Sequence, residues 1–394
     1  MNNDSSLFFL ELGSSKIILS YNDSIHNKII SEEESILNNN DKNNLFLNSK
    51  TNKIENTIYE LEKKNSIYID SINLLIDDKD IITITFSVSK QINFNVFEKK
   101  DLEYLIQDAK QTILKFNNKY EILHIFITDF CGDNKKFDDF EKIEKCKKIS
   151  LDLLFICIPI ERIKYFKKIF SKNHINISKI LISSYSKTFY LIKNSNLVHE
   201  DKIFIDLGLK KTAILFYRKN VLKYFEIISL GSDHVNKDLM KILNIDYSSS
   251  EFIKKNFYKK NFLLSSKYKS IVDNFKINEE NERLINKIIK YRIDEILEIS
   301  IKRVSKQLPK FDMHEKVKLI LLGNGSKVFN FNSINLQKYL PVGDEIDIYK
   351  DQDFNIYDCG NFINSGSNPN EVILVPEKMS KMGFFEKLFH FFRQ

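Results

Sequence analysis

The chain has no tryptophan, and among its 394 residues there are only four cysteines, five prolines and ten glycines. Cys131, Cys146, Cys157 and Cys359 lie far apart with no paired Cys-x-x-Cys spacing. They are therefore expected to be reduced, buried thiols rather than disulfides or metal ligands. Seven scattered histidines, with no His-Glu-x-x-His, argue equally against a zinc centre. No apolar run approaches the ~18 residues that a spanning helix needs. The longest, Leu153 to Ile160, ends in Glu161-Arg162. The opening Met1-Asn2-Asn3-Asp4 does not read as a signal peptide. A 43% apolar content excludes a disordered chain, and the length calls for more than one domain. The net charge of +7 is spread through a sequence rich in Ile, Lys, Asn and Phe, so no nucleic-acid partner is expected.

What the chain has is internal similarity. Leu7 to Tyr21 contains Glu11-Leu12-Gly13-Ser14-Ser15-Lys16 between two apolar strands; Lys202 to Tyr217 contains Asp206-Leu207-Gly208-Leu209-Lys210-Lys211-Thr212 between two more. Each predicts a β-hairpin with a tight turn at glycine, placed where an unusual backbone conformation is expected. A chain so poor in glycine that uses one at the same place in both halves suggests a duplicated domain. Between the copies, residues 81–170 predict an inserted α+β module, with strands at Ile81–Val88, Ile122–Thr128 and Leu151–Ile158. One of its helix faces carries Leu102, Leu105, Ile106, Ala109, Ile113 and Phe116; a second carries Ile163, Phe166, Ile169 and Phe170. Residues 236–303 read as helical and lysine-rich, with Lys254-Lys255, Lys259-Lys260 and Lys267 on a solvated face. Leu319–Leu322 predicts a buried strand running into Gly323-Asn324-Gly325-Ser326. Ser365-Gly366-Ser367-Asn368-Pro369-Asn370 reads as the start of a linker.

Two facing hairpin turns can hold a polyphosphate on backbone N–H groups. Ser14 and Ser15 would add hydroxyl donors and Lys16 charge, while Glu11 and Asp206 at the strand ends could reach a magnesium ion through water. The third glycine turn would lie against an adenosine. The tail is a separate signal. On a helical wheel Met382, Phe384, Phe385, Leu388, Phe389, Phe391 and Phe392 occupy one half, with Lys387 and Arg393 opposite. Such a short, phenylalanine-rich, partly basic helix suits the membrane interface.

In order and motif the chain resembles the actin/Hsp70/sugar-kinase superfamily, and within it FtsA, the actin-like protein of bacterial cell division. Glu11–Lys16 is similar to that family's first phosphate loop and Ile203–Gly208 with Thr212 to its second. Ile228-Ser229-Leu230-Gly231 leading into Asp238-Leu239 is similar to the connection that follows, Leu321–Gly325 to the adenosine loop, and Tyr357-Asp358-Cys359-Gly360 to the stretch before the tail. Ser183-Ser184-Tyr185-Ser186 stands where the family has a similar helix start. The second loop departs from the pattern: Leu209 and Lys210 carry side chains where the family has glycine, Ala213 lacks a carboxylate, and Asn324 replaces a glycine.

The resemblance implies an α/β, actin-like two-lobed ATPase fold with an inserted α+β subdomain and a C-terminal amphipathic helix. Residues 1–80 would form the first lobe, completed by about 171–200 and 355–365; 81–170 the insert; 201–235 and 304–354 the second lobe; 236–303 its helical subdomain; and 366–394 the linker and tail. Glu11, Gly13, Ser14, Ser15, Lys16, Asp206, Gly208, Thr212, Gly323, Asn324 and Gly325 would bind ATP, with Glu11 and Asp206 on Mg through water, and useful turnover is not expected. Tyr291–Leu297 resembles the partner-contacting stretch, so Arg292 and Glu295 would meet the FtsZ C-terminal peptide. Phe384, Phe385, Lys387, Leu388, Phe389, Phe391, Phe392 and Arg393 would meet the inner face of the cytoplasmic membrane. The implied role is a division-site scaffold that tethers FtsZ polymers, self-associates and recruits later division proteins. The other readings are a pilus-assembly scaffold like PilM and an ATP-dependent kinase or chaperone of the same superfold.

Overall fold

The computed structural model describes residues 7–23, 28–35, 46–92, 99–133, 135–137, 146–195, 201–259, 262–275, 280–307, 317–328, 342–348 and 354–372. The expected membrane helix at Lys381–Gln394, with its Phe384, Phe385, Lys387, Leu388, Phe389, Phe391, Phe392 and Arg393, lies outside them. In chain order the first lobe starts with strands β1 (Phe8–Leu12), β2 (Lys16–Asp23) and β3 (Lys28–Ser35), helix α1 (Phe46–Asn65) and β4 (Ser71–Ile76). The insert contributes β5 (Ile82–Gln91), α2 (Lys99–Phe116), β6 (Tyr120–Gly132), β7 (Lys135–Phe137) and β8 (Lys148–Pro159). The chain returns through α3 (Ile160–Ser171), β9 (Asn176–Ile182) and α4 (Ser183–Asn194). The second lobe follows as β10 (Lys202–Leu207), β11 (Thr212–Arg218), β12 (Val221–Ile228), α5 (Asp233–Leu243), α6 (Tyr247–Asn256), α7 (Ser266–Phe275), α8 (Glu280–Ser305), β13 (Val317–Leu322) and β14 (Val342–Ile348). Helix α9 (Ile356–Asn364) crosses back to the first lobe, where Ile356, Cys359 and Ile363 join its core.

The duplication suggested by the two hairpins extends to whole sheets. The first sheet runs β3-β2-β1-β4-β9 and the second β12-β11-β10-β13-β14. In each, a three-stranded antiparallel meander is continued by two parallel strands. The central strands are apolar on both faces, as strands covered on both sides must be. In β10, Ile203, Ile205 and Leu207 face the second lobe's helices, while Phe204 faces the core that continues into the first lobe. The insert is a separate antiparallel sheet, β5-β8-β6-β7, with α2 packed on it through Leu102, Leu105, Ala109 and Ile113. Phe116, expected on that face, is 77% exposed. Helix α3, assigned from sequence to the insert, instead buries Ile163, Phe166, Ile169 and Phe170 in the first-lobe core, so the insert ends near Pro159.

The stretch expected to be a linker is docked as far as Val372. Val372 N–H donates to Ile125 O (2.9 Å) and Ile127 N–H to Asn370 O (2.8 Å), adding a bridge to the edge of β6. Glu371 fixes this clasp. Its Oε1 lies 2.6 Å from His124 Nδ1, and its Oε2 accepts from the Tyr185 hydroxyl at 2.5 Å. Ile182 N–H donates to His124 Nε2 (3.3 Å), which leaves Nδ1–H to donate to the carboxylate. Asn368 Nδ2 donates to the same tyrosine oxygen at 2.9 Å. Burial, with the Glu371 charge beside it, pushes the Tyr185 hydroxyl well above its ordinary pKa and holds it as a donor. One carboxylate thus ties the insert, the first lobe and the exit of the chain. Hydrogen bonds to a charged group are worth about 1.5–3 kcal/mol each. Glu371→Ala is therefore expected to speed hydrogen exchange at the Ile127 and Val372 amides by at least about tenfold; unchanged exchange would contradict the clasp.

Candidate functional site

The site lies where parallel strands end. Glu11 ends β1, Asp77 follows β4, Asp206 stands near the end of β10, and the Gly323–Ser326 turn follows β13. Ligand sites in α/β sheets form at such carboxyl ends. Between the lobes is a cavity of about 590 Å³, within the ~300–1,000 Å³ of small-molecule sites. Glu11, Gly13, Ser14, Ser15 and Lys16 line it from one side; Asp206, Gly208, Gly323, Asn324 and Gly325 line it from the other. Of the eleven residues expected to meet a nucleotide, only Thr212 is missing from the wall. Its hydroxyl donates to Leu230 O (2.7 Å), stapling β11 to the connection before α5.

The two hairpin turns have the same construction. Gly13 N–H donates to Lys16 O and Gly208 N–H to Lys211 O, each at 3.0 Å. Neither glycine has positive φ, contrary to the sequence expectation. The requirement is space: a Cβ would lie 2.8 Å from Lys16 O at Gly13 and 2.9 Å from Lys211 O at Gly208. The second turn is also gripped from outside. A Cβ on Gly231 would lie 2.7 Å from Lys211 N, and one on Gly323, which does have φ +83°, 2.7 Å from Leu207 O. Ser232 and Asp233 N–H, at the start of α5, donate to the carbonyls of Gly208 (3.0 Å) and Leu209 (2.8 Å). These N–H groups hold the loop rather than face the cavity.

Several cavity residues were not anticipated. Asp77 accepts from Ser184 N–H (3.2 Å) and from its hydroxyl (2.8 Å), an acidic cap at the start of α4. Burial pushes its carboxyl above the usual range, against the opposing pull of Lys211. Burial likewise lowers the Lys211 ammonium, which the charges of Asp77 and Asp78 partly offset. The cleft thus contains an aspartate that could not be placed from sequence. Lys187 of α4 reaches Glu11 Oε1 at 2.5 Å, and the Ser183 hydroxyl donates to the same oxygen. Lys254, Lys255 and Lys259, read from sequence as a solvated face, also line the cavity. Lys254 and Lys255 bind Glu251 at 2.5 and 2.9 Å. In total, six lysines face four carboxylates.

This donor set does not fit the expected magnesium site. Glu11 is nearly enclosed by Lys187 and Ser183, and the Asp206 carboxylate is buried beneath the Gly323 turn. The partner pair is also differently engaged. Arg292 directs Nε and Nη2 to the two oxygens of Asp238 in α5 (2.6 and 3.0 Å) and Nη1 to Glu295 (2.6 Å). Its bidentate fork, expected to hold a peptide carboxylate, ties α8 to α5. Among the described residues no helix is long and apolar enough to cross a membrane.

Residues 203–366 match the family model of cell division protein FtsA. The chain is an FtsA-like protein with an actin-like ATPase fold. The match begins in β10 and runs through both turns of the second lobe to the end of α9. Over 90% of this chain and 94% of the other, the fold superposes on a structure described as the PilM-PilN type IV pilus biogenesis complex, at 13% identity and TM-score 0.54. A more distant likeness is the ethanolamine utilization protein EutJ from Carboxydothermus hydrogenoformans, at 10% identity and TM-score 0.43 over 90% and 88% of the two chains. No curated protein matches the chain by sequence.

The grip on the second turn can be tested at Gly231, where the added methyl would meet only backbone. Gly231→Ala is expected to destabilise the protein by about 1–3 kcal/mol, the usual cost of overpacking, seen as a lower urea midpoint. An unchanged midpoint would contradict the packing described.

Proposed function

We propose that the chain is a cell-division scaffold that tethers FtsZ polymers to the inner face of the cytoplasmic membrane at the division site. It would recruit later division proteins and self-associate there. The observation that carries this reading is the FtsA match across the second lobe and α9, joined to two like turns facing one cavity. A nucleoside triphosphate would occupy that cavity as a structural or switching ligand, with at most weak hydrolysis. Asp77, the aspartate in the cleft, already accepts two hydrogen bonds from Ser184 and faces Lys211, an arrangement suited to structure more than to activating water.

The membrane role rests on the sequence of the tail. Burying a large apolar side chain completely is worth about 1.5–3 kcal/mol, and interfacial burial is partial, so one tail would bind weakly. Several tails on one polymer would bind far more tightly. Liposome flotation tests this: the full chain is expected to float with anionic vesicles and a chain ending at Pro376 to stay behind. Equal behaviour of the two would overturn the tether. Failure of both to float would favour a pilus-assembly role, a reading supported by the fold likeness to the PilM-PilN complex.

The helical subdomain would bind the FtsZ C-terminal peptide near Arg292 and Glu295, whose carboxylate is exposed on α8. Arg292→Glu reverses charge there and breaks the tie to Asp238. It is expected to weaken peptide binding by at least about tenfold, or 1.4 kcal/mol, by fluorescence anisotropy. Unchanged affinity would contradict this docking site.

A further inference from the structure

We propose that the cavity takes a nucleoside di- or triphosphate without a divalent metal ion, with lysines from both lobes supplying the charge a cation would bring. The inference rests on the nucleotide reading above and deepens it.

A magnesium ion in a polyphosphate site is usually held by one or two carboxylates together with the phosphates themselves. Here the carboxylates in reach already answer to ammonium groups. Glu11 is bound by Lys187 at 2.5 Å, and Glu251 is shared by Lys254 and Lys255. The charge of Asp77 acts on Lys211. Asp206 lies 8% exposed under the Gly323 turn, at the spot a Cβ on that glycine would strike. An incoming metal would have to displace a lysine or move a loop.

The lysines are placed by the duplication itself. Both turns read Gly-x-x-Lys, closed by the same hydrogen bond, so Lys16 and Lys211 occupy equivalent positions on opposite walls of the cavity. Lys187 adds a third ammonium from the start of the first-lobe helix that faces the cavity. With six lysines against four carboxylates, the walls carry a formal excess of positive charge. A polyphosphate would relieve the cost of holding Lys211 in so enclosed a place, because the ammonium gains a strong partner. The side chains at Leu209 and Lys210 narrow the second turn, and charge on Lys211 replaces what backbone contact is lost there.

The test is calorimetric titration of the full-length protein with ATP, in excess EDTA and again in excess magnesium. Affinities within about threefold of each other, with Lys211→Met weakening binding at least about tenfold in EDTA and Lys211→Arg restoring it, support the proposal. Each variant is compared with the parent by thermal unfolding, so that a misfolded protein is recognised. ATP binding that appears only with magnesium would overturn the metal-free site while leaving the nucleotide reading intact. Binding in neither buffer would overturn the nucleotide reading, and this inference with it.

Discussion

Backbone packed on backbone around residues 207–211 is the constraint from which the cleft is built. The second hairpin turn is threaded between the connection at Gly231 and the turn at Gly323–Gly325, with α5 donating two N–H groups to its carbonyls. Side chains cannot intrude at those glycines, so the three loops hold one another at fixed spacing. Thr212 reinforces them from below by binding Leu230 O. Because β10 is central in its sheet and β1 central in the other, this local rigidity sets the distance between the two turns that share the cavity.

Charge is organised on that frame with the same economy. Carboxylates at the strand ends are matched to lysines that the opposite lobe or the adjoining helices supply, and lysines remain in excess. The insert and the exit of the chain are joined to the frame through a single carboxylate, Glu371, which reaches both His124 and Tyr185. A force applied beyond residue 372 would therefore be felt first at the junction of the insert and the first lobe. For a scaffold held by its tail, that junction is where load and shape meet.

Much of this was legible in the sequence, and the remainder was hidden for identifiable reasons. The hairpins, the insert strands and the adenosine turn are local patterns, and the structure places them where alternation and glycine suggested. The glycines themselves were misjudged: Gly13 and Gly208 are needed for room, not for a left-handed backbone, and spacing cannot distinguish the two. Asp77 and Lys187 reach the cavity only through parallel pairing of β4 with β1 and the packing of α4, which are long-range facts. A hint did exist, since the apolar run Ile72–Ile76 ends in Asp77-Asp78 as β1 ends in an acid. Residues 365–370 have the composition of a linker, yet Asn368 is buried, because strand addition by Glu371 and Val372 depends on an edge contributed from 240 residues away. Arg292 was correctly read as a bidentate donor, but its acceptor, Asp238, lies on the neighbouring helix.

The central claim is that both hairpin turns grip one ligand across the cleft. Hydrogen exchange of the full chain with and without ATP tests it most directly, followed at the amides of Ser14, Ser15, Lys210 and Lys211. The account predicts that nucleotide slows exchange at both turns together. Protection confined to one turn, or to neither while nucleotide is demonstrably bound, would contradict it.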